Sequence, residues 1–509
     1  MFKLHIDLQQ SSMDWHVENN ALISRCGEFI PFSHPMVGVR AVLVSPGHLG
    51  IFIFEQPYDE DFTGIRLVSA AGVFIQSSRL STVPVFFTDN EKILDVSWDP
   101  LELYPLIEPV LHEQRALLYL SHFEQPYGFD TVLAQIKQLC AGHGVVWQQN
   151  HGWDIYQHPL RVTPYPKVLK KRADPCQSFG QLLDSTLQRL LPDPSVTLAS
   201  GFSGGLDSSI VTVTAARAGY KVNTYGLLMP DEGRISQQQR RTAVIEKYGI
   251  VDHTVDTAEN RPSGAAYGHT ARQPMVPWEE LHYACFDEIY QRAAEEGCRV
   301  FLTGFGGDEL LCEYWDEMED KASALLEYTE EQKLPDFLSK KIHQNQRDRL
   351  DKLMVTPAIY AQSSVVEAIS GVAAQCLRNG LWPVHLLTTP EVVQYCHSLP
   401  HEWRAERTLM RKVLSGWGVD DLIAYPQTTE NFTTLSCQTL TSCQQAMAQF
   451  PLEKLGAMGW VETREVAHAF QRWLDGVGKG KMDIHFIAAV VLESTLDSVV
   501  QARARENVS

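Results

Sequence analysis

Two short strings hold the residues that could do chemistry. The first is Ser203-Gly204-Gly205-Leu206-Asp207-Ser208-Ser209, placed between an apolar stretch, Val196 to Ala199, and a helical pattern from Ser208 to Arg217. Gly204 and Gly205 let the backbone turn sharply and come close to an anion. The exposed amides of such a loop, with a helix start behind them, form a phosphate site. Ser203, Ser208 and Ser209 add hydroxyl donors without bulk. Asp207 cannot meet a phosphate directly, but it can hold a magnesium ion that bridges phosphate oxygens. The second string is Thr303-Gly304-Phe305-Gly306-Gly307-Asp308-Glu309-Leu310, which follows an apolar strand, Val300 to Thr303. Ligands bind beyond the carboxyl ends of parallel strands, so Asp308 is expected at the same edge as Asp207, both on one metal. Taken singly, a Gly/Ser turn and an N-capping aspartate are the plainer readings. Together in one frame they favour catalysis.

The frame is legible as a series of βαβ units. Phe179 begins a helical stripe of Leu182, Leu183, Leu187, Leu190 and Leu191 that Pro192 and Pro194 end. The strand and helix around the first string follow, then a strand at Val222 to Leu228, a helix at Gln237 to Tyr248, a strand at Asp252 to Val255, and a helix at Glu279 to Glu296. Strand, helix and strand in alternation imply a parallel sheet. Beyond it the pattern is mostly helical, with breaks at prolines. Ahead of it, residues 1–158 read as an α+β domain dominated by sheet. Val39 to Val44 and Ile51 to Phe54 are strands about a Ser45-Pro46-Gly47 turn, Val85-Phe86-Phe87, Ile93-Leu94 with Val96, and Val145 to Trp147 are further strands, and Val110 to Leu120 is a helix. Residues 159–178, with Pro159, Pro164, Pro166, Pro175 and the basic cluster Lys167, Lys170, Lys171 and Arg172, read as a solvated linker. Residues 179–509 form the second domain.

Composition narrows the function. The chain has 509 residues, with 43 Lys plus Arg against 62 Asp plus Glu, a formal charge of −19. That balance counts against nucleic acid as a partner, because phosphate backbones need a basic face. The apolar run Phe486 to Leu492 is far shorter than the roughly 18 to 20 residues of a membrane span, and the start of the chain has no signal-peptide pattern. No membrane partner is expected. The 10 cysteines are scattered singly with no C-x-x-C pair, which suits reduced thiols in the cytoplasm rather than a disulfide framework or zinc site. Gly476 to Lys481 lacks the Ser or Thr of a Walker loop.

The two strings resemble those of the asparagine synthetase family, over roughly residues 175 to 435. The resemblance implies an N-terminal glutaminase-like Ntn-hydrolase sheet domain, with Val85 to Phe87 and Ile93-Leu94 as a remnant of its pairing. It also implies a C-terminal adenine-nucleotide α-hydrolase-like parallel-sheet domain with a helical extension. Its implied chemistry is ATP activation of a carboxylate as an acyl-adenylate, loss of pyrophosphate, and attack by an amine. Carried over, Ser203, Gly204, Gly205, Leu206, Ser208 and Ser209 bind pyrophosphate, Asp207 and Asp308 bind Mg2+, and backbone at Gly226 and Leu227 meets adenine. Gly304 and Phe305 complete the nucleotide site, and His253 stands where the family has a histidine.

Three departures shape the expected activity. Position 2 is Phe2, where the family's glutaminase has its cysteine nucleophile, so glutamine hydrolysis is not expected. Phe305 replaces the Glu of asparagine synthetases and the Tyr of β-lactam synthetases. The segment Tyr425 to Phe432 lacks the family's lysine, whose role is to stabilise charge in the transition state. Arg407, Arg411 and Lys412 on the preceding helix are the replacements within reach, with Arg411 the catalytic candidate and a solvated helix face the plain alternative. The leading expectation is therefore ATP-dependent amide formation with an amine from the substrate itself. The type closest to it is a lasso-peptide cyclase, which closes a macrolactam in a ribosomal peptide. A leader-peptide protease or recognition protein is the expected partner. β-Lactam synthetase-like cyclisation, ammonia-dependent asparagine synthesis, a tRNA-modifying PP-loop enzyme and a non-catalytic peptide-binding scaffold are the alternatives.

Overall fold

The computed structural model describes residues 3–7, 16–18, 21–30, 34–45, 48–55, 62–68, 72–78, 82–123, 127–148, 151–157, 166–230, 233–257, 276–279, 282–314, 317, 334–343, 363–428, 432–442, 452–476 and 483–506. Phe2, the Pro46-Gly47 turn and Pro159 to Pro164 lie outside them. The N-terminal part is built from two antiparallel sheets, one of seven strands and one of six. Leu4, Ile6, Phe29, Leu94 and Val96 of the first share one buried core with Val73, Ile75, Val145 and Trp147 of the second. Alternating burial along strands such as Lys3–Asp7 gives each sheet one apolar face. Phe86–Asp89 pairs with Ile93–Ser97, Val96 opposite Phe87, as the sequence suggests.

The C-terminal part holds a five-stranded parallel sheet. Its order from one edge is Val251–Asp256, Val222–Leu228, Leu198–Gly201, Val300–Leu302 and Trp382–Val384. The chain moves outward from the central Leu198–Gly201 strand to one side, then returns to its other side. This reversal leaves a crevice at the carboxyl ends of Leu198–Gly201 and Val300–Leu302, where open α/β sheets bind ligands. The fold is thus mixed α/β and α+β, with a parallel-sheet domain and antiparallel sheets.

Three details correct the sequence reading. The first helix of this part starts at Pro175, not Phe179. Pro175 does not disfavour regular structure there, because an N–H in the first turn has no intrahelical acceptor anyway, and the Asp174 carboxylate caps the turn by accepting from Gln177 N at 3.0 Å. The helix expected over Glu279 to Glu296 is described as Tyr283–Glu295. Third, Asp483–Glu506 is one 24-residue helix, of which Ile484–Glu506 is long and apolar enough to cross a bilayer by length and composition. Most of its apolar window is buried inside the protein, where Phe486, Val490 and Leu496 share a core with Leu103, Leu117 and Leu120 of the N-terminal part.

A largely buried guanidinium also joins the two parts. Arg378 donates to both oxygens of Asp99, at 2.8 and 2.7 Å, and to both oxygens of Glu279, at 2.8 and 2.6 Å. Burial pushes the Glu279 carboxyl above its usual range, and Arg378 opposes that shift. Removing one partner of such a cluster leaves buried charge uncompensated. Arg378→Met is therefore expected to lower unfolding free energy by about 3–5 kcal/mol, read from urea denaturation, and a loss under 1 kcal/mol would contradict this role.

Candidate active site

The Leu198–Gly201 strand delivers the chain into the Ser203–Gly205 turn, and the helix Leu206–Arg217 starts directly after it. Gly204 has φ +85°, a conformation that costs a side-chain-bearing residue about 1–2 kcal/mol. The turn is tied internally. Gly205 N donates to Ser203 Oγ at 3.1 Å, Ser203 N donates to Ser208 Oγ at 3.2 Å, and Ser209 Oγ donates to Gly205 O at 2.6 Å. Leu206 is buried beneath the loop.

The second string closes onto the first. A Cβ at Gly304 would come within 2.8 Å of Ser208 N, and one at Gly307 would collide with the Asp207 side chain. At Gly304 the two backbones touch, and at Gly307 the Asp207 side chain fills the space a Cβ would need. That contact brings the carboxylates of Asp207 and Asp308 to one cation. Arg407 Nη1 lies 2.9 Å from Asp207 Oδ2 and 2.5 Å from Asp308 Oδ1. Asp207 is only 20% exposed and Asp308 75%, so the inner carboxylate carries the desolvation cost. Burial raises the Asp207 carboxyl to about 6, against the opposing pull of Arg407 and with help from the Asp308 charge.

Arg411 lies elsewhere. Its Nε donates to Glu406 O at 2.7 Å, its Nη1 bonds Ala424 O, and its guanidinium lies over the Tyr425 ring. Of the two, it is Arg407, just before the Thr408–Gly416 helix, and not the catalytic candidate Arg411, that contacts the Asp207 and Asp308 carboxylates. Arg407 is positioned by an unusual backbone: Glu406 and Arg407 both have positive φ, 52° and 57°. Two successive non-glycine residues in that region cost about 1–2 kcal/mol each, and a break in the helix between 405 and 408 results. Lys412 lies over the Trp403 ring.

Sequence reasoning missed the polar layer below the loop. Gln237, Arg240 and Arg241 face inward from the helix Arg234–Tyr248 and are buried. Gln237 Nε2 donates to Ser203 O at 3.2 Å and to Leu227 O at 3.0 Å. Arg240 donates to Gly204 O and to Thr428 O, both at 2.9 Å, and so docks the Tyr425–Thr428 segment on the loop. Arg241 pairs with Asp252 and packs against Gly226, where a Cβ would strike its guanidinium. The backbone expected to meet adenine at Gly226 and Leu227 is therefore lined by Arg241 and Gln237. His253 stacks on Tyr225 at 4.9 Å and contacts Glu296 at 2.9 Å, on the strand beyond Val222–Leu228 rather than at the two carboxylates.

Phe305 is half-buried, with its ring 5.9 Å from that of His385. His385 shares a 2.6 Å hydrogen bond with Thr303 Oγ1, and burial lowers its pKa to about 3. The imidazole is therefore neutral and no proton acceptor near neutral pH. Phe432 stacks on His282 and is substantially exposed.

Comparison with known proteins agrees with the strings. Residues 178–423, a little under half of the chain, match the family model for asparagine synthase. No curated protein matches the chain. Among solved structures it is similar to the U34-tRNA thiolase NcsA of Methanococcus maripaludis, at 12% identity and TM-score 0.28 over 62% of this chain and 89% of that one. It is also similar to the NH3-dependent NAD synthetase of Campylobacter jejuni, at 10% identity and TM-score 0.25 over 61% and 98%. A third is the NMN synthetase of Francisella tularensis, at 15% identity and TM-score 0.21 over 45% and 98%. The family match supports an ATP-dependent ligase of carbon–nitrogen bonds.

A carboxyl whose folded pKa is raised contributes stability at low pH that is lost as pH rises from the ordinary carboxylate range through about 6. Asp207→Asn removes that loss. The variant is expected to gain thermal stability over the parent at pH 7 and to gain less at pH 4, measured by calorimetry. An equal gain at both pH values would show that Asp207 ionisation is not strained by the fold.

Proposed function

We propose that this protein forms an amide bond by ATP-dependent adenylation of a carboxylate, with release of pyrophosphate and AMP. The observation that carries the reading is the meeting of the two strings, which sets Asp207 and Asp308 on one cation beside a phosphate-type loop. The donor set suits Mg2+. Two hard carboxylates within reach of one cation are what magnesium takes when substrate phosphates supply further ligands. Among the described residues no cluster of three or more His, Cys, Asp or Glu could hold a metal, which suits a nucleotide-borne ion better than a resident one. Mg2+, when bound, would neutralise charge on the phosphates. Asp207 and Asp308 hold it, and Ser203, Gly204, Gly205, Ser208 and Ser209 hold pyrophosphate. Arg407 and Arg240 place guanidinium charge about the loop, which the Tyr425–Phe432 segment does not supply through a lysine.

The acceptor amine belongs to the substrate, and the product is a macrolactam in a ribosomal peptide of the lasso type. Two features support this. Cys26 and Cys140, the described cysteines of the N-terminal sheets, are interior thiols, and burial pushes Cys140 far above the nucleophilic range. Half-buried Phe305, with Phe432 and Tyr425 exposed, suits a bulky and partly apolar substrate. On this reading a leader-peptide protease or recognition protein is the partner, and residues 1–158 are not a glutaminase.

The test is isotopic exchange between pyrophosphate and ATP with a candidate precursor peptide, a β-amino acid, or aspartate with ammonia. Peptide-dependent exchange is expected, lost by about a hundredfold or more in Asp207→Ala and in Asp308→Ala. Exchange driven by aspartate or a β-amino acid alone would replace the peptide reading, and full activity in either variant would remove the carboxylates from the site.

A further inference from the structure

Arg407 lies against carboxylate oxygens that a metal would draw on. Its Nη1 lies 2.9 Å from Asp207 Oδ2, 3.2 Å from Asp207 Oδ1 and 2.5 Å from Asp308 Oδ1. The chain spends backbone strain on this placement, with Glu406 and Arg407 both left-handed immediately before the helix Thr408–Gly416. The turn is also pinned from outside. Arg411 Nε donates to Glu406 O at 2.7 Å, and Thr408 Oγ1 donates to Ala405 O at 2.7 Å. Strained backbone persists where the surroundings over-determine it, and it gathers at switch regions and ligand clamps.

We propose that Arg407 is a latch that closes the Asp207–Asp308 pair to bare divalent cations, so that metal enters only together with a nucleotide. The inference rests on the metal assignment of the proposed function. A dication drawn to these oxygens meets the guanidinium charge already on them, and that repulsion favours displacing the guanidinium when metal binds. Displacement removes the counter-charge that the guanidinium had, and a bound triphosphate restores it. Metal and nucleotide then favour each other's binding, and by linkage the effect is reciprocal. A latch closed nine-tenths of the time or more weakens metal binding about tenfold or more. Once metal and triphosphate are both present, Arg407 stands on the phosphate side of the pair.

The experiment titrates Mn2+ into the full-length protein without nucleotide, counting free ion by electron paramagnetic resonance. Arg407→Gln is expected to bind Mn2+ about tenfold more tightly than the parent. Arg407→Lys, which keeps the charge but loses the fork, is expected to fall between them. Addition of α,β-methylene-ATP should tighten Mn2+ binding in the parent and narrow the gap. Lys412→Gln, which removes the same charge from the adjoining helix, should match the parent. Equal affinity in the parent and Arg407→Gln overturns the latch, and so does an equal gain in Lys412→Gln, which would show a general charge effect. If Arg407→Gln does not fold, as judged by near-ultraviolet circular dichroism, an Arg407→Lys affinity equal to the parent's overturns it instead. Asp308→Asn added to Arg407→Gln must abolish the gain; if tight binding survives, the ion sits elsewhere and the latch falls along with the metal assignment. Pyrophosphate exchange is read separately, so a failed latch with intact exchange leaves the proposed activity standing.

Discussion

The site depends on a contact between two stretches of backbone. The Gly304–Gly307 turn presses against Asp207 and the amide of Ser208 so closely that neither Gly304 nor Gly307 has room for a side chain. This contact converts two separate loop motifs into one pocket. It is possible because the Leu198–Gly201 and Val300–Leu302 strands are parallel neighbours although about a hundred residues separate them in the chain. Their carboxyl ends therefore deliver both loops to the same edge of the sheet. Everything else around the pocket follows from that adjacency: a pair of carboxylates held together, a guanidinium to neutralise them, and a buried polar layer to support the loop from below.

Bringing carboxylates together in a partly dry crevice is unfavourable, and the surrounding residues show how the cost is met. Asp207 takes most of the burial while Asp308 stays in solvent, so only one carboxylate needs strong compensation. Arg407 provides it at the expense of two left-handed residues. Below the loop, Arg240 and Gln237 satisfy backbone carbonyls of the Ser203–Gly204 turn, leaving the amide side of that turn to face an anion. The stability that tolerates these expenses comes from elsewhere. The core of the last helix with the N-terminal part, and Arg378 between Asp99 and Glu279, both lie outside the two strings.

The parallel sheet and the two loops were legible in the sequence because glycine, hydroxyl and carboxylate at fixed spacing have few other uses between a strand and a helix. The strand at Val300–Leu302 stood out for a related reason: buried on both faces, it reads as a continuous apolar run. The choice between Arg407 and Arg411 was not legible. Both lie on one polar stretch, and what separates them is a pair of positive φ angles that no residue type at 406 or 407 announces, since neither is glycine or asparagine. Gln237, Arg240 and Arg241 escaped for a different reason. They fall at the i, i+3, i+4 spacing of an inward helix face, continued by Val244, but a search for apolar stripes passes over polar residues there. The signal was present as periodicity without hydrophobicity, on a helix that a βαβ unit obliges to pack against its sheet. The long C-terminal helix was underestimated by reading only its densest apolar run.

The least polar part of the site bears on what kind of reaction suits it. Phe305 points toward His385, and the burial that seats His385 against Thr303 also keeps it neutral. Neither residue can take a proton from an attacking amine near neutral pH. The remaining ionisable groups of the two strings, Asp207, Asp308 and Glu309, are engaged: the first two with Arg407, and Glu309 as acceptor of a 2.7 Å hydrogen bond from Ser364. A site with so few free bases gains most from holding its reactants in place, since orientation alone can supply several kcal/mol of a barrier. On the proposed reading, that favours an amine already tethered to the carboxylate it attacks, because a tether lowers the demand on both binding and base.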